Sequence, residues 1–219
     1  MSRGLKFTLA VGLLVVSAWA WTRHERIANE KAIAIVASEL AGRPVRVSCQ
    51  GFWSELLDIA NRSGEVQFTD GRPADDTYLT RRVCRQLEEF GAGELECLTR
   101  RGAALVAAEE CADRVRLVAE AITTLAHESM HLRGWIDEAQ TQCYAIQGLG
   151  WVVVRLGGTP EEGVALGSFV LGEQPRLPSA YRSGECRAGG ALDLVPSTAE
   201  FPAEDGIRLT PARLYAQPG

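Results

Sequence analysis

The chain has 219 residues, 46% of them hydrophobic and 23% charged, with a net charge of −5. That balance excludes collagen-like, coiled-coil, polytopic membrane and wholly disordered proteins, and the length suits one well-cored domain of roughly 150–200 residues. Arg3 and Lys6 are the only charges in residues 1–21, so the remainder stands at −7, which argues against a nucleic acid partner, since that needs a clustered positive footprint.

Residues Leu5 to Trp21 form an apolar run, and residues 1–24 are read as an N-terminal membrane anchor or signal segment. From Phe7 to Trp21 the run is 15 residues, short of the roughly 17–25 of a comfortable span. Ala18-Trp19-Ala20 fits a cleavage site. Helix-compatible chain with apolar residues at Ile27, Ala34, Ile35, Val36 and Leu40 follows directly, and this favours an anchor prolonged into a membrane-proximal helix, residues 25–43, over a secreted protein. The charges flanking the run do not decide orientation. The six cysteines (49, 84, 97, 111, 143 and 186) do. Even in number and without a CxxC pair, they suit disulfides, which persist in oxidising compartments and place the body outside the cytoplasmic membrane. The alternative is six buried thiols in a cytoplasmic domain.

A domain is expected over 44–195. Pro44 to Gln50 and Gly64 to Thr69 alternate as strands, with Asp70-Gly71 a turn after the second. Phe52 to Ile59 reads as one or two helical turns. Leu79, Val83, Leu87 and Phe90 recur at helical spacing, predicting an amphipathic helix from Thr77 to Phe90 stopped by Gly91. Residues 103–133 are alanine-rich and read as helix throughout. Further helices are expected over Asp137 to Leu156 and Pro160 to Leu171, and an irregular tail over 196–219. The fold class is α+β, mainly helical, with a small sheet and an αα-hairpin.

Only three histidines occur, at 24, 127 and 131, and two of them belong to His127-Glu128-Ser129-Met130-His131. Chance would place such an HExxH string in a chain of this composition with a probability of about 0.004. On a helix, positions i and i+4 stack one turn apart, so both imidazoles reach one Zn²⁺ while the intervening glutamate projects beside a water that the metal activates. Val115, Val118, Ile122, Leu125 and Ser129 share a stripe roughly opposite these histidines, which predicts one face on the core and one on a cleft. Glu128 is the candidate catalytic base, and His24 reads as merely interfacial.

Residues Thr124 to Cys143 resemble the zincin metallopeptidases, in particular small membrane-anchored or secreted bacterial HExxH proteins, with Arg133 standing where a hydrophobic residue is usual. The resemblance implies a zincin-like core, a zinc cofactor held by His127, His131 and a third ligand, a peptide or protein substrate, and an edge strand above the site, for which residues 65–69 are the candidate. Two acids compete as third ligand. Asp137 completes HExxHxxGxxD, as in metzincins, but these also have a methionine turn, and Met1 and Met130 are the only methionines here. Glu138 would serve as the gluzincin ligand, leaving Asp137 to cap the second helix with Gln140; this assignment is favoured. Cys143 suits a disulfide better than a metal thiolate. Tyr144 and Tyr181 are candidate oxyanion donors, with plain packing the simpler role.

Overall fold

In the computed structural model the backbone is described for residues 3–51, 63–91, 98–101, 104–107, 112–202 and 211. The architecture is α+β and mainly helical. Helix α1 (Arg3–Ala41) leads into β1 (Arg46–Cys49), the β2 (Gly64–Thr69) and β3 (Arg72–Leu79) hairpin, and α2 (Arg81–Gly91). A second hairpin, β4 (Leu98–Arg101) and β5 (Ala104–Ala107), precedes α3 (Ala112–Arg133), α4 (Glu138–Arg155) and α5 (Pro160–Glu173). Two short 3-10 turns, Gln174–Arg176 and Ser179–Tyr181, follow.

The sheet runs β1-β3-β2, with β1 parallel and β2 antiparallel to the central β3. Asp70 and Gly71 both take positive φ, 51° and 73°, the conformation of a two-residue hairpin turn that follows the strand twist. The expected helix from Thr77 is corrected here: residues 77–79 complete β3, and the helix begins at Arg81 behind Thr80, whose hydroxyl accepts from Val83 N at 3.3 Å. Arg-Pro-Ala-Asp-Asp is a poor strand sequence. Pairing of Arg72 and Pro73 with β2 and of Asp76 with β1, and the Arg43 guanidinium, which bonds the carboxylate of Asp75 and the carbonyl of Ala74, impose the extended form. The expected helix over 103–133 also starts late, because residues 104–107 pair with β4. Alanine's helical preference amounts to under about 1 kcal/mol per residue, too little to oppose a ladder.

Helix α3 is the axis of the molecule, packed by α1, α2, α4 and the faces of β2 and β3. The expectation of one face on the core and one on a cleft is met: Val115, Val118, Ile122, Leu125 and Ser129 pack inside, and His127 and His131 line a cleft. Ala119, Ile122, Leu125, Ala126, Ser129 and Met130 are at most 1% exposed, and the opposite positions His127 and His131 are buried as well. Helix α1 docks through Ile33, Val36, Ala37 and Leu40, whereas Ile27 and Ile35 are exposed; each large side chain buried this way contributes about 1.5–3 kcal/mol. Arg133, the departure from the motif's usual flank, donates to the carbonyl of Leu40 at 2.6 Å and so caps the end of α1.

Disulfides join Cys49 to Cys84, fixing β1 to α2, and Cys143 to Cys186, fixing the segment after α5 to α4. Cys97, Cys111, the turns expected at Phe52 to Ile59 and most of the tail lie outside the described residues. So do most side chains of the apolar run and with them the expected anchor; among the described residues no helix is long and apolar enough to cross a membrane.

Candidate metal centre

The αα-hairpin formed by α3 and α4 brings the site together. Gly134 ends α3 with φ 114°, which a side chain rarely tolerates. Gly134 N–H donates to His131 O at 2.9 Å and Trp135 N–H to Met130 O at 3.2 Å, a left-handed helix stop that reverses the chain within four residues. Asp137 then caps α4, its carboxylate accepting from Gln140 N–H at 2.8 Å. The capping box is half formed, because the Gln140 amide donates to the Tyr144 hydroxyl at 3.2 Å. Asp137 thus has the structural role, and Glu138, one residue on, turns towards the histidines.

Glu138 Oε2 lies 3.0 Å from His127 Nε2 and 3.4 Å from His131 Nε2, and the three ligand atoms are all within 4.8 Å of one another. Each imidazole is oriented through its other nitrogen. His131 Nδ1 is 2.7 Å from the Trp135 carbonyl and His127 Nδ1 is 3.0 Å from Gln142 Oε1. A carbonyl only accepts, so Nδ1 of His131 carries the hydrogen, and the same holds for His127 against the amide oxygen. In the neutral rings both Nε2 atoms then present lone pairs to a carboxylate oxygen. Three lone-pair donors at these separations repel unless a proton or a metal cation lies among them. A tetrahedral ion bonded at 2.0–2.1 Å holds its ligand atoms about 3.3 Å apart, close to the separations of Glu138 from the two imidazoles. The group of His127, His131 and Glu138 can therefore hold a metal ion.

The electrostatics agree. The contact with His127 holds the Glu138 carboxyl below the usual carboxylate range, against a partial desolvation that would raise it. Burial, then the neighbouring His127, lowers His131 from its ordinary value, keeping the ring neutral and able to ligate. Glu128 is 6% exposed, and burial pushes its carboxyl up from 4.5 to about 7, with Glu138 and Glu65 adding to the rise and His127 opposing it. Its Oε2 is buried without a hydrogen-bond partner among the described residues. An unpaired buried carboxylate oxygen is costly, and here it belongs to the one acid of the motif that does not join the ligand trio.

These groups line one side of a cleft of about 880 Å³, with β2 residues Val66 and Phe68 and the later segment Phe169 to Tyr181 around it. Phe68 meets His131 edge-on at 5.8 Å between ring centres, and Tyr181 faces His127 at 5.6 Å. Tyr144 instead packs against Trp135 at 5.0 Å and does not line the cleft. Cys143 is committed to its disulfide. Gln147, one turn further along α4, donates to Leu192 O and accepts from Leu194 N–H, both at 2.7 Å, so bridge and amide together secure the segment beyond Tyr181. His24 is exposed on α1, apart from the site.

Gln142 lies one helical turn after Glu138 and so on the same face, but helical spacing alone does not assign it the orienting contact with His127. Replacing it with Leu frees the His127 ring and is expected to weaken metal binding 10–100-fold, measured by competition with a chelating dye, with little loss of helix; unchanged affinity would show that Gln142 does not orient the ligand. No family model, curated protein or solved structure matches the chain.

Proposed function

We propose that the chain is a zinc-dependent peptidase of the zincin type, acting outside the cytoplasmic membrane on peptide or protein substrates. The observation that carries the reading is the convergence of His127, His131 and Glu138 with the uncommitted Glu128 carboxylate beside them. Two imidazoles and a carboxylate are a donor set that suits zinc, and among the described residues no fourth protein ligand closes the set. A purely structural site has no use for a buried acid left unpaired. The two disulfides support an oxidising compartment.

Zinc at this trio would supply Lewis acidity, lowering the pKa of a water and polarising the substrate carbonyl. Glu128 would take the proton of the attacking water as the water oxygen bonds to the carbonyl carbon and would return it to the departing amine as the carbon–nitrogen bond breaks. Gln142 and the Trp135 carbonyl hold the imidazoles in the ligating orientation throughout. Strand β2 ends the sheet among the described residues and runs along the cleft, which suits it to align an extended substrate by strand addition. Tyr181, whose ring lies against His127 in the cleft, is the candidate donor to the oxygen that gains charge.

The test is elemental analysis of the purified full-length chain combined with digestion of a peptide library. One zinc per chain is expected, with cleavage abolished by chelation and restored by added zinc. Zinc without any cleavage would reduce the site to a staple between two helices, and absence of stoichiometric metal would overturn the reading.

A further inference from the structure

Gly64, the first residue of β2, lies directly against the Glu128 side chain. A Cβ built at residue 64 would stand 2.7 Å from Glu128 Cγ, 2.8 Å from Oε1 and 2.9 Å from Cδ. Gly64 is not among the glycines of positive φ, so its backbone conformation does not call for glycine; the missing side chain does. Neither wall can retreat. The strand is held by the register of Gly64 with the fully buried Leu79 and by Thr80 N–H donating to Ser63 O at 3.0 Å. The helix is held by Ala126, Ser129 and Met130, all fully buried around the acid. What remains free to move is the Glu128 side chain, and because the closest atom is Cγ, rotation of the carboxylate alone does not relieve the contact.

We infer that Gly64 is a positioning residue for Glu128: the bare backbone of the strand sets one wall of the slot that holds the carboxylate beside the metal ligands. This rests on the peptidase reading for its consequence on turnover and on geometry alone for its consequence on packing, and the experiment separates the two.

Gly64→Ala in the full-length protein is expected to keep one zinc per chain and an unchanged KM while kcat falls about 100-fold, the cost of an ångström-scale misplacement of a reacting group. A hydroxamate inhibitor, whose proton Glu128 would accept, should weaken in parallel. In the packing arm, melting temperatures are compared for Gly64→Ala in the native and the Glu128→Ala backgrounds. The alanine at 64 should lower the melting temperature, or prevent folding, only where the native glutamate is present, because Glu128→Ala removes all three atoms it meets. Equal losses in both backgrounds would overturn the positioning role, as would wild-type kcat in Gly64→Ala. If no variant, native protein included, hydrolyses any peptide while the background-dependent melting shift is found, the peptidase reading fails and the packing of Gly64 on Glu128 stands.

Discussion

Glu128→Gln is expected to leave zinc bound at one per chain and to lower peptide hydrolysis by about three orders of magnitude, within the range for loss of a general acid–base group. The ligands His127, His131 and Glu138 keep their geometry, since none of them hydrogen-bonds Glu128 and its Oε2 has no partner to lose. The glutamine amide is nearly isosteric and fits the slot against Gly64, but it cannot take a proton from water. Zinc content by elemental analysis and initial rates on the same preparation decide the matter: retained metal with unchanged turnover would remove Glu128 from the chemistry, and lost metal would make it a ligand.

The second large effect is on the stability of the metal-free protein. Glu128 has its folded pKa raised from 4.5 to about 7, chiefly by desolvation. The fold therefore favours the protonated acid, and the stability this group contributes is fully present below about 4.5 and lost as pH rises through about 7. The whole effect is about 3 kcal/mol. His131 acts in the opposite sense: its lowered folded pKa makes its contribution complete above 6.5 and declining as pH falls. Glutamine at 128 does not titrate, so comparing native and Glu128→Gln proteins in chelator isolates the acid. The variant should gain on the native protein as pH rises from 4.5 to about 7, most steeply midway through that range and levelling off above it, in urea unfolding followed by circular dichroism. A difference that stays flat with pH would mean that Glu128 is solvated rather than buried.

Much of the fold was legible where local signals agree. The alternating strands within 44–50 and at 64–69 and the helices over Asp137 to Leu156 and Pro160 to Leu171 were readable from spacing, and Asp137 does accept from Gln140 N–H. Strand β3 was not readable, because Pro73, Asp75 and Asp76 oppose a strand, and only Phe68 paired with Pro73, Arg46 paired with Asp76 and Arg43 bonded to Ala74 and Asp75 hold it extended. The same holds for 104–107, where pairing with β4 displaces an alanine-rich helix. Arg133 shows the converse: anomalous within the motif, it is explained by the end of α1, distant in sequence.

For the candidate site, the sequence by itself determined the two imidazoles and the intervening acid, because helical spacing is a local property and i, i+4 residues share a face wherever the helix lies. Tertiary structure alone decided which acid joins them, for Asp137 and Glu138 are adjacent in sequence and differ in direction only once the Gly134 stop and the α4 cap orient the hairpin. It also decided that Gln142 and the Trp135 carbonyl orient the rings and that Gly64 lies against Glu128. Those contacts join segments whose approach is set by packing across the core, and no periodicity within one segment encodes what a distant strand will press against.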